Sequence, residues 1–312
     1  MNKDRQILIT ILAFLTLSII VTVLQISMTL PEEGEKFAFP VERTGPGIGV
    51  VRIYEQISTA SNSNAFGQQS GADLIVQTLD RYMNNPRIRA VVIRINSPGG
   101  SVSATQEIFQ KVLELRKRNI PVIASLGDIA ASGGYYIASG CDDIYANPGT
   151  LTGSIGVIIA APSFRALFEE MGIDMNVIKS GEYKDILSSV RDLRDDERVL
   201  LQEVVDITYK QFLKDISLGR NMPIDDFEQY ADGRIFTGTQ AFDYGLVDYI
   251  GSFEDALNKA REQAGLKPDA PVYLDTINPV ELFLGSLSTR LMPEIAALPR
   301  RNYSIVEYRY NP

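Results

Sequence analysis

The chain of 312 residues contains no histidine, and its one cysteine is Cys141. Histidine is the side chain whose ordinary pKa lies nearest neutrality, so its absence excludes Ser-His-Asp and Cys-His mechanisms within one chain. The HExxH zinc site is excluded for the same reason, and a lone cysteine supplies neither an internal disulfide nor zinc-ligand spacing. We therefore expect no metal or cofactor, and a hydrolase made from this chain needs a different base.

The chain is also poor in positive charge relative to negative charge. Its formal net charge is −9 and its isoelectric point is about 4.8. Nucleic-acid binding requires clustered lysine and arginine, so we expect no nucleic-acid partner. A GxxxxGK[ST] loop for nucleotide phosphates is absent from the sequence. The apolar and charged fractions are those of an ordinary globular protein with attachments.

One long apolar run stands at residues 7–24, with the sequence ILITILAFLTLSIIVTVL. An uncharged run of this length can cross the hydrocarbon core of a bilayer as a helix. Lys3 and Arg5 precede it, and the positive-inside preference places the N-terminus in the cytoplasm. We expect a short cytoplasmic segment at 1–6 and a retained single-pass anchor in the cell membrane at 7–30. The catalytic domain would then lie outside the cytoplasm.

Beyond a linker at 31–47, short β-branched runs alternate with amphipathic stretches, which is typical of crossover α/β units. This pattern predicts strands at 49–54, 89–96, 121–126, 142–146, 155–160 and 174–179. It predicts helices at 71–84, 103–118 and 194–218, and the polar segment 58–71 is predicted to be a loop.

We assign residues 48–265 to one catalytic domain and residues 266–312 to a C-terminal extension. In the extension, PVELFLGSLSTRLM has a helical pattern and YSIVEYRY alternates as a strand does. Two roles stay open for it. The favoured one is a packed element of a subunit interface, and the other is a segment that reaches into a substrate groove.

Three motifs carry candidate chemistry. In INSPGGS, at 95–101, a strand ends in proline and two glycines, which leaves backbone amides free either for an oxyanion or in a plain turn. In GDIAASGGYYIASG, at 127–140, Ser132 stands at a helix start, where it is either a nucleophile or an N-cap. In KSGEYKDILS, at 179–188, Lys184 and Lys179 are either surface charges or bases. A lysine base must be desolvated, because the ordinary lysine pKa is about 10.4.

Together these segments resemble the signal peptide peptidase A (protease IV) family, whose catalytic stretch reads much like AASGGYYIA, then TGSIGV, then SGxYKD. The similarity extends from residue 49 through GRIFTGTQAFDYGLVD at 233–248. It implies a catalytic set made of the nucleophile Ser132, the general base Lys184, the lysine-orienting hydroxyl of Ser154, and the oxyanion amides of Gly99 and Gly133.

The resemblance also implies a crotonase-like or Clp-protease-like α/β spiral fold and a ring-like homo-oligomer. Neighbouring subunits can complete the dyad in such a ring. The expected substrates are signal peptides and other hydrophobic peptides.

Two other functions are compatible with part of this pattern. A crotonase-fold acyl-CoA enzyme would use the same paired backbone donors, but Ser132 with Lys184 argues against it. A catalytically silent, oligomeric membrane scaffold is the non-enzyme alternative, and the presence of every candidate catalytic group argues against it. Clp proteolytic subunits need a histidine, which this chain lacks.

Overall fold

The computed structural model describes Thr16, Ser18 and residues 45–59, 71–274 and 307–309. The chain divides into two compact units, Met1–Arg43 and Thr44–Pro312. In the first unit only Thr16 and Ser18 are described, and both are helical. The rest of the predicted anchor, and most of the predicted loop at 58–71, lie outside the described residues. Across the ranges that are described, no helix is both long and apolar enough to span a bilayer.

A mostly parallel sheet forms the centre of the second unit. In the described ranges its order is β7-β6-β4-β2-β1-β9, with β5 beside β4 and β8 beside β5. The strands are β1 (Gly47–Tyr54), β2 (Ile88–Ser97), β3 (Gly99–Ser101), β4 (Val122–Ala131), β5 (Asp143–Ala146), β6 (Leu151–Gly153), β7 (Ile235–Thr237), β8 (Tyr249–Ile250), β9 (Val272–Leu274) and β10 (Glu307–Arg309). Strand β3 lies outside the large sheet and pairs with β10.

Strand β4 pairs with two different strands along one of its edges. Its residues Ile123 to Ser125 pair with β5, and its residues Ile129 to Ala131 pair with β6. All the pairs in the large sheet are parallel except β6 with β7. The C-terminal ends of β2, β4 and β6 therefore lie at one edge, where parallel α/β sheets place their sites.

Helices cover both faces of this sheet, which is why β1, β2 and β4 are apolar almost throughout. Leu79, Ile108 and Phe109 pack on one face, and Leu257 and Ala260 pack on the other. The helices are α1 (Ala72–Met83), α2 (Val102–Lys117), α3 (Gly133–Ser139), α4 (Arg165–Glu170), α5 (Asp195–Arg220), α6 (Ile224–Phe227), α7 (Gly238–Asp243) and α8 (Phe253–Gln263).

The predicted mixed α/β architecture is confirmed, including the strands at 49–54, 89–96, 121–126 and 142–146 and all three predicted helices. The strands predicted at 155–160 and 174–179 are wrong. In that region the strand is β6, and 174–179 has no regular structure. Met175, Val177 and Ile178 are exposed, and none of them belongs to a strand. Their apolar character predicts burial, and burial alone does not specify a strand.

Residues 158–193, which we call the arm, leave the sheet after β6 and contain only the short helix α4. Many of the arm's large apolar side chains are exposed: Ile158, Phe164, Leu167, Met171, Ile173, Met175, Val177, Ile178 and Tyr183. Val199, Leu200, Val204 and Ile207 in the first half of α5 are exposed as well. Exposed apolar side chains in this number are typical of a surface that contacts another molecule.

Candidate active site

Ser132 joins the end of β4 to the start of α3 and has φ 53° and ψ −114°. A residue with a β-carbon in this part of the backbone map carries strain on the order of 1–3 kcal/mol, which the surrounding fold must support. Ser132 occupies the N-cap position, yet its side chain makes no capping hydrogen bond. The capping interpretation is therefore wrong for its hydroxyl. A strained serine at a strand-to-helix turn is also the geometry of the nucleophile elbow.

Helix α3 holds Ser132 through two consecutive tyrosines. The Tyr135 hydroxyl donates to the Leu246 carbonyl at 2.9 Å, and the Tyr136 hydroxyl donates to the Asp215 carboxylate of α5. Burial raises the pKa of Tyr135, so this hydroxyl stays a neutral donor. The Tyr136 ring also contacts Phe212, with ring centroids 4.6 Å apart. The position of the serine thus depends on side chains buried well behind it.

Ser154 lies beside Ser132, because the Ser132 amide donates to the Gly153 carbonyl at 2.7 Å. That bond extends the β4–β6 ladder by one residue, and neighbouring strands lie about 4.8 Å apart. Ser154 is buried, has φ 52°, and donates its amide to the Arg234 carbonyl at 2.8 Å. The structure therefore brings together the predicted nucleophile and the predicted orienting hydroxyl.

The turn after β2 lies against the same edge. Ser97 pairs with Ala130 of β4, and a β-carbon on Gly134 would lie 3.0 Å from the Ser97 carbonyl oxygen. Gly133 is the first residue of α3, where an amide has no partner within its own helix. Gly99 has φ 99°, a conformation that glycine adopts most readily.

The Gly99 amide already has a partner, which the sequence did not predict. It donates to the Ser97 hydroxyl oxygen at 3.1 Å, and that hydroxyl donates in turn to the Glu55 carbonyl. An oxyanion bound at Gly99 must share or displace this bond. Ser97 is buried and directly precedes Pro98. A serine next to a proline-glycine turn is the sequence signal for a hydroxyl that bonds an amide of that turn.

Strand β3 has partners along both of its edges. On one edge, Ile57 donates to the Gly99 carbonyl and accepts from the Ser101 amide, both at 2.8 Å. On the other edge, β10 runs antiparallel, with Tyr308 opposite Gly100 and Arg309 opposite Gly99. Strand β10 of the C-terminal extension thus lies next to Gly99 of the predicted oxyanion turn, in the way that an extended peptide binds a sheet edge.

Lys184 stands in the arm, and its side chain is exposed. The burial expected for a lysine base is therefore not found within the single chain. No hydrogen bond between described residues joins Lys184 to Ser132 or Ser154. Lys179, the other candidate base, is occupied: its ammonium bonds the Asp185 carboxylate at 2.6 Å and the Glu182 carbonyl at 2.8 Å. The fold assembles the predicted nucleophile, orienting serine and oxyanion turn, while the lysine lies on a surface segment.

Comparison with known proteins shows which family the part of the chain with Ser132, Ser154 and Lys184 resembles. Residues 114–267 match the model of peptidase family S49. The chain is 50% identical over 208 residues to the Synechocystis sp. protein slr0021, named as a candidate protease, covering 67% of this chain and 74% of that protein. It is 36% identical over 211 residues to an Enterococcus faecium protein named as a candidate signal peptide peptidase SppA, covering 67% and 61%. It is 34% identical over 204 residues to the chloroplastic serine protease SPPA of Arabidopsis thaliana, covering 65% of this chain and 30% of that one. The match thus spans less than two thirds of the second and third relatives.

Proposed function

The chain belongs to peptidase family S49, the family of signal peptide peptidase A, and we propose that it is a membrane-anchored endopeptidase with a Ser132–Lys184 dyad. Its family makes it a serine peptidase. The observation that carries the proposal is the strained, non-capping Ser132 at the edge where β2, β4 and β6 end. A strained serine whose hydroxyl does no structural work is best explained by chemistry at that hydroxyl.

The proposed reaction passes through an acyl-enzyme. The neutral Lys184 amine takes the proton from the Ser132 hydroxyl as its oxygen attacks the scissile carbonyl carbon. The amides of Gly133 and Gly99 stabilise the resulting oxyanion. Lys184 then gives its proton to the departing amine, which leaves an ester on Ser132. Lys184 next takes a proton from water as the water oxygen attacks the ester carbonyl carbon. The bond from that carbon to the Ser132 oxygen then breaks, the acid product leaves, and the Ser132 oxygen takes the proton back from Lys184.

Ser154 supports the proposal through its place beside Ser132, where its hydroxyl would orient the lysine amine. The β3 edge that β10 occupies in this structure would hold the substrate as an antiparallel strand in place of β10. Main-chain hydrogen bonds of this kind bind peptides without requiring one side-chain sequence, which suits a peptidase that acts on many signal peptides and other hydrophobic peptides.

We further propose that the working enzyme is a homo-oligomer in which a second copy buries the arm. Two features of the single chain support this: Lys184 is exposed, and the arm presents a broad apolar surface. A lysine amine is neutral near pH 7 only when it is desolvated, so a neighbouring subunit would supply the burial that the single chain lacks. The split pairing of β4 is compatible with a crotonase-like or Clp-protease-like spiral fold.

The membrane anchor is proposed from the apolar run at 7–24 and the basic residues before it. It would hold the catalytic domain outside the cytoplasm, beside the membrane from which signal peptides are released.

Labelling with a fluorophosphonate tests the proposal on the full-length chain in detergent. The wild-type protein should label at Ser132 and cut hydrophobic peptides, and Ser132→Ala should do neither. Ser139→Ala is the matched control, because Ser139 lies in the same helix and its hydroxyl donates to the Tyr136 carbonyl of that helix, at 2.7 Å. A wild-type protein that neither labels nor cuts any peptide would point to the scaffold alternative.

A further inference from the structure

An arginine of the arm lies between two carboxylates close to Lys184. The Arg191 guanidinium donates to both oxygens of Asp185, at 2.9 Å each, through Nε and Nη2. It donates to both oxygens of Glu197, at 2.8 and 2.5 Å, through Nη1 and Nη2. Two carbonyl oxygens, those of Asp185 and Asp192, complete its contacts at 3.1 and 2.9 Å. One side chain therefore fastens two segments with two-pronged bonds.

The cluster is shielded from solvent. The Glu197 side chain is 0% exposed and that of Asp185 is 15% exposed. Bonds from Arg191 lower the pKa of Glu197 to about 2, and bonds from Arg191 and Lys179 lower the pKa of Asp185. Both carboxylates are therefore charged at neutral pH. A buried carboxylate is costly unless it is paired and hydrogen-bonded. Arg191 pairs with both carboxylates, while Lys179 adds a bond to Asp185 and the Arg194 amide adds one to Glu197.

The two carboxylates stand at positions that matter for the site. Asp185 directly follows Lys184 in the turn at 182–187. Glu197 is the third residue of α5, and its carboxylate accepts the Arg194 amide at 3.0 Å, which caps that helix. Further along α5, Asp215 accepts the Tyr136 hydroxyl of α3, the helix that begins after Ser132. A continuous series of bonds thus connects the Lys184 turn with a long helix anchored in the core.

We propose that Arg191 is a positioning residue, which fixes the turn that carries Lys184 to the start of α5. This proposal rests on the proposed role of Lys184 as the base. Arg194 also joins this turn to the start of α5, through the Tyr183 ring at 5.3 Å and Glu182 at 3.6 Å. Arg191 differs because it connects Asp185, the residue next to Lys184, directly to Glu197 of α5. The turn belongs to an arm whose large apolar side chains are mostly exposed. Arginine suits this task, because its planar fork bonds two carboxylates at once, whereas a lysine ammonium acts as a single point.

The test compares Arg191→Ala with Arg220→Ala in the full-length protein. Arg220 lies at the other end of α5 and makes the same kind of two-pronged bond, to Asp248, with both contacts at 2.7 Å. Arg191→Ala should lower kcat by about 10- to 100-fold, since displacement of a catalytic group by about 1 Å can cost 100-fold. KM should stay the same, because the proposed substrate edge is β3 and none of the Arg191 bonds described above is to β3. Added guanidinium ion, at millimolar concentration, should restore part of kcat, and Arg191→Lys should restore little.

Arg220→Ala should lower the melting temperature and leave kcat near that of wild type. The proposal is overturned if Arg191→Ala behaves in the same way, or if it loses kcat and melting temperature together without rescue by guanidinium. If Arg191→Ala fails to fold, Asp185→Asn provides the measurement, because it keeps the side-chain shape. A fall in kcat at constant KM then supports the proposal, and an unchanged kcat contradicts it. Lys184→Ala distinguishes failure of the Arg191 proposal from failure of the proposed Ser132–Lys184 dyad. If Lys184→Ala stays active, the dyad itself is wrong.

Discussion

The Ser132 amide donates to the Gly153 carbonyl at 2.7 Å, which sets Ser132 and Ser154 side by side at the ends of β4 and β6. Both residues have positive φ, at 53° and 52°. Positive φ is uncommon outside glycine, and two such residues on adjacent strands imply that the fold sustains strain at this point. The buried ladder behind them and the anchored helix α3 supply the support.

Ser132→Ala and Ser252→Ala should have opposite effects. Ser252 is a true N-cap: its hydroxyl accepts the Asp255 amide at 3.3 Å in a complete capping box. Its loss should cost about 1 kcal/mol of unfolding free energy and spare turnover. Ser132 makes no capping bond, so Ser132→Ala should abolish turnover and leave stability unchanged. Denaturant titration and peptide cleavage measure both. Loss of stability with normal turnover in Ser132→Ala would restore the capping interpretation.

Ser132→Ala and Lys184→Ala should complement each other when they are co-expressed. Each variant alone should be inactive, because loss of one member of a catalytic unit costs on the order of 10⁴- to 10⁶-fold in kcat. If the arm of one subunit supplies Lys184 to its neighbour, mixed assemblies contain some complete sites. Assemblies purified through two different tags should therefore recover turnover by orders of magnitude. Mixed assemblies that stay as inactive as the single variants would place both groups of each site in one chain.

The sequence predicts those structural features that depend on residues close together along the chain. The apolar runs of β1, β2 and β4 and the amphipathic helices are local patterns, and they are found where they were predicted. The glycine-flanked motif singles out Ser132, the family resemblance implies its role as the nucleophile, and that role stays a prediction. The bond from Gly99 to Ser97 could not be predicted, because it depends on how one turn folds back on itself.

Other features depend on distant or additional partners. The pairing of β10 with β3 joins segments about 200 residues apart, and no local pattern specifies such a register. The arm was predicted to be partly strand because its residues are apolar. Its side chains are nevertheless exposed in the single chain. The apolar character of these residues predicts that they are buried, but it does not indicate whether the same chain or another molecule buries them.

Gly219→Ala should destabilise the protein, although alanine is ordinarily the better helix former by about 1 kcal/mol. Gly219 lies near the end of α5, where a β-carbon would overlap the Ser139 carbonyl oxygen of α3. The two helices must therefore separate, and overpacking of this kind typically costs about 1–3 kcal/mol. Because α3 begins after Ser132, kcat should fall as well. Thermal unfolding and peptide cleavage test both effects. A melting temperature equal to or above that of wild type would show that α3 and α5 are less tightly packed than the structure indicates.

The acid dependence of stability should report on the Arg191 cluster. Arg191 lowers the pKa of Glu197 from its ordinary value of 4.5 to about 2. A carboxyl with a depressed pKa binds fewer protons in the folded state than in the unfolded state. Its contribution to stability is therefore complete above about pH 4.5 and is lost as the pH falls towards 2.

Glu197→Gln removes this titration, and it keeps a side-chain oxygen for the Arg194 amide. Because the variant loses the charged partner of Arg191, it should be less stable than wild type at pH 7. Its unfolding free energy should then fall less steeply than that of wild type between pH 5 and pH 2. Glu203→Gln, at an exposed position of the same helix, is the control and should keep the wild-type slope. Denaturant titrations at a series of pH values measure the slopes, and equal slopes for Glu197→Gln and wild type would mean that Glu197 does not titrate with folding.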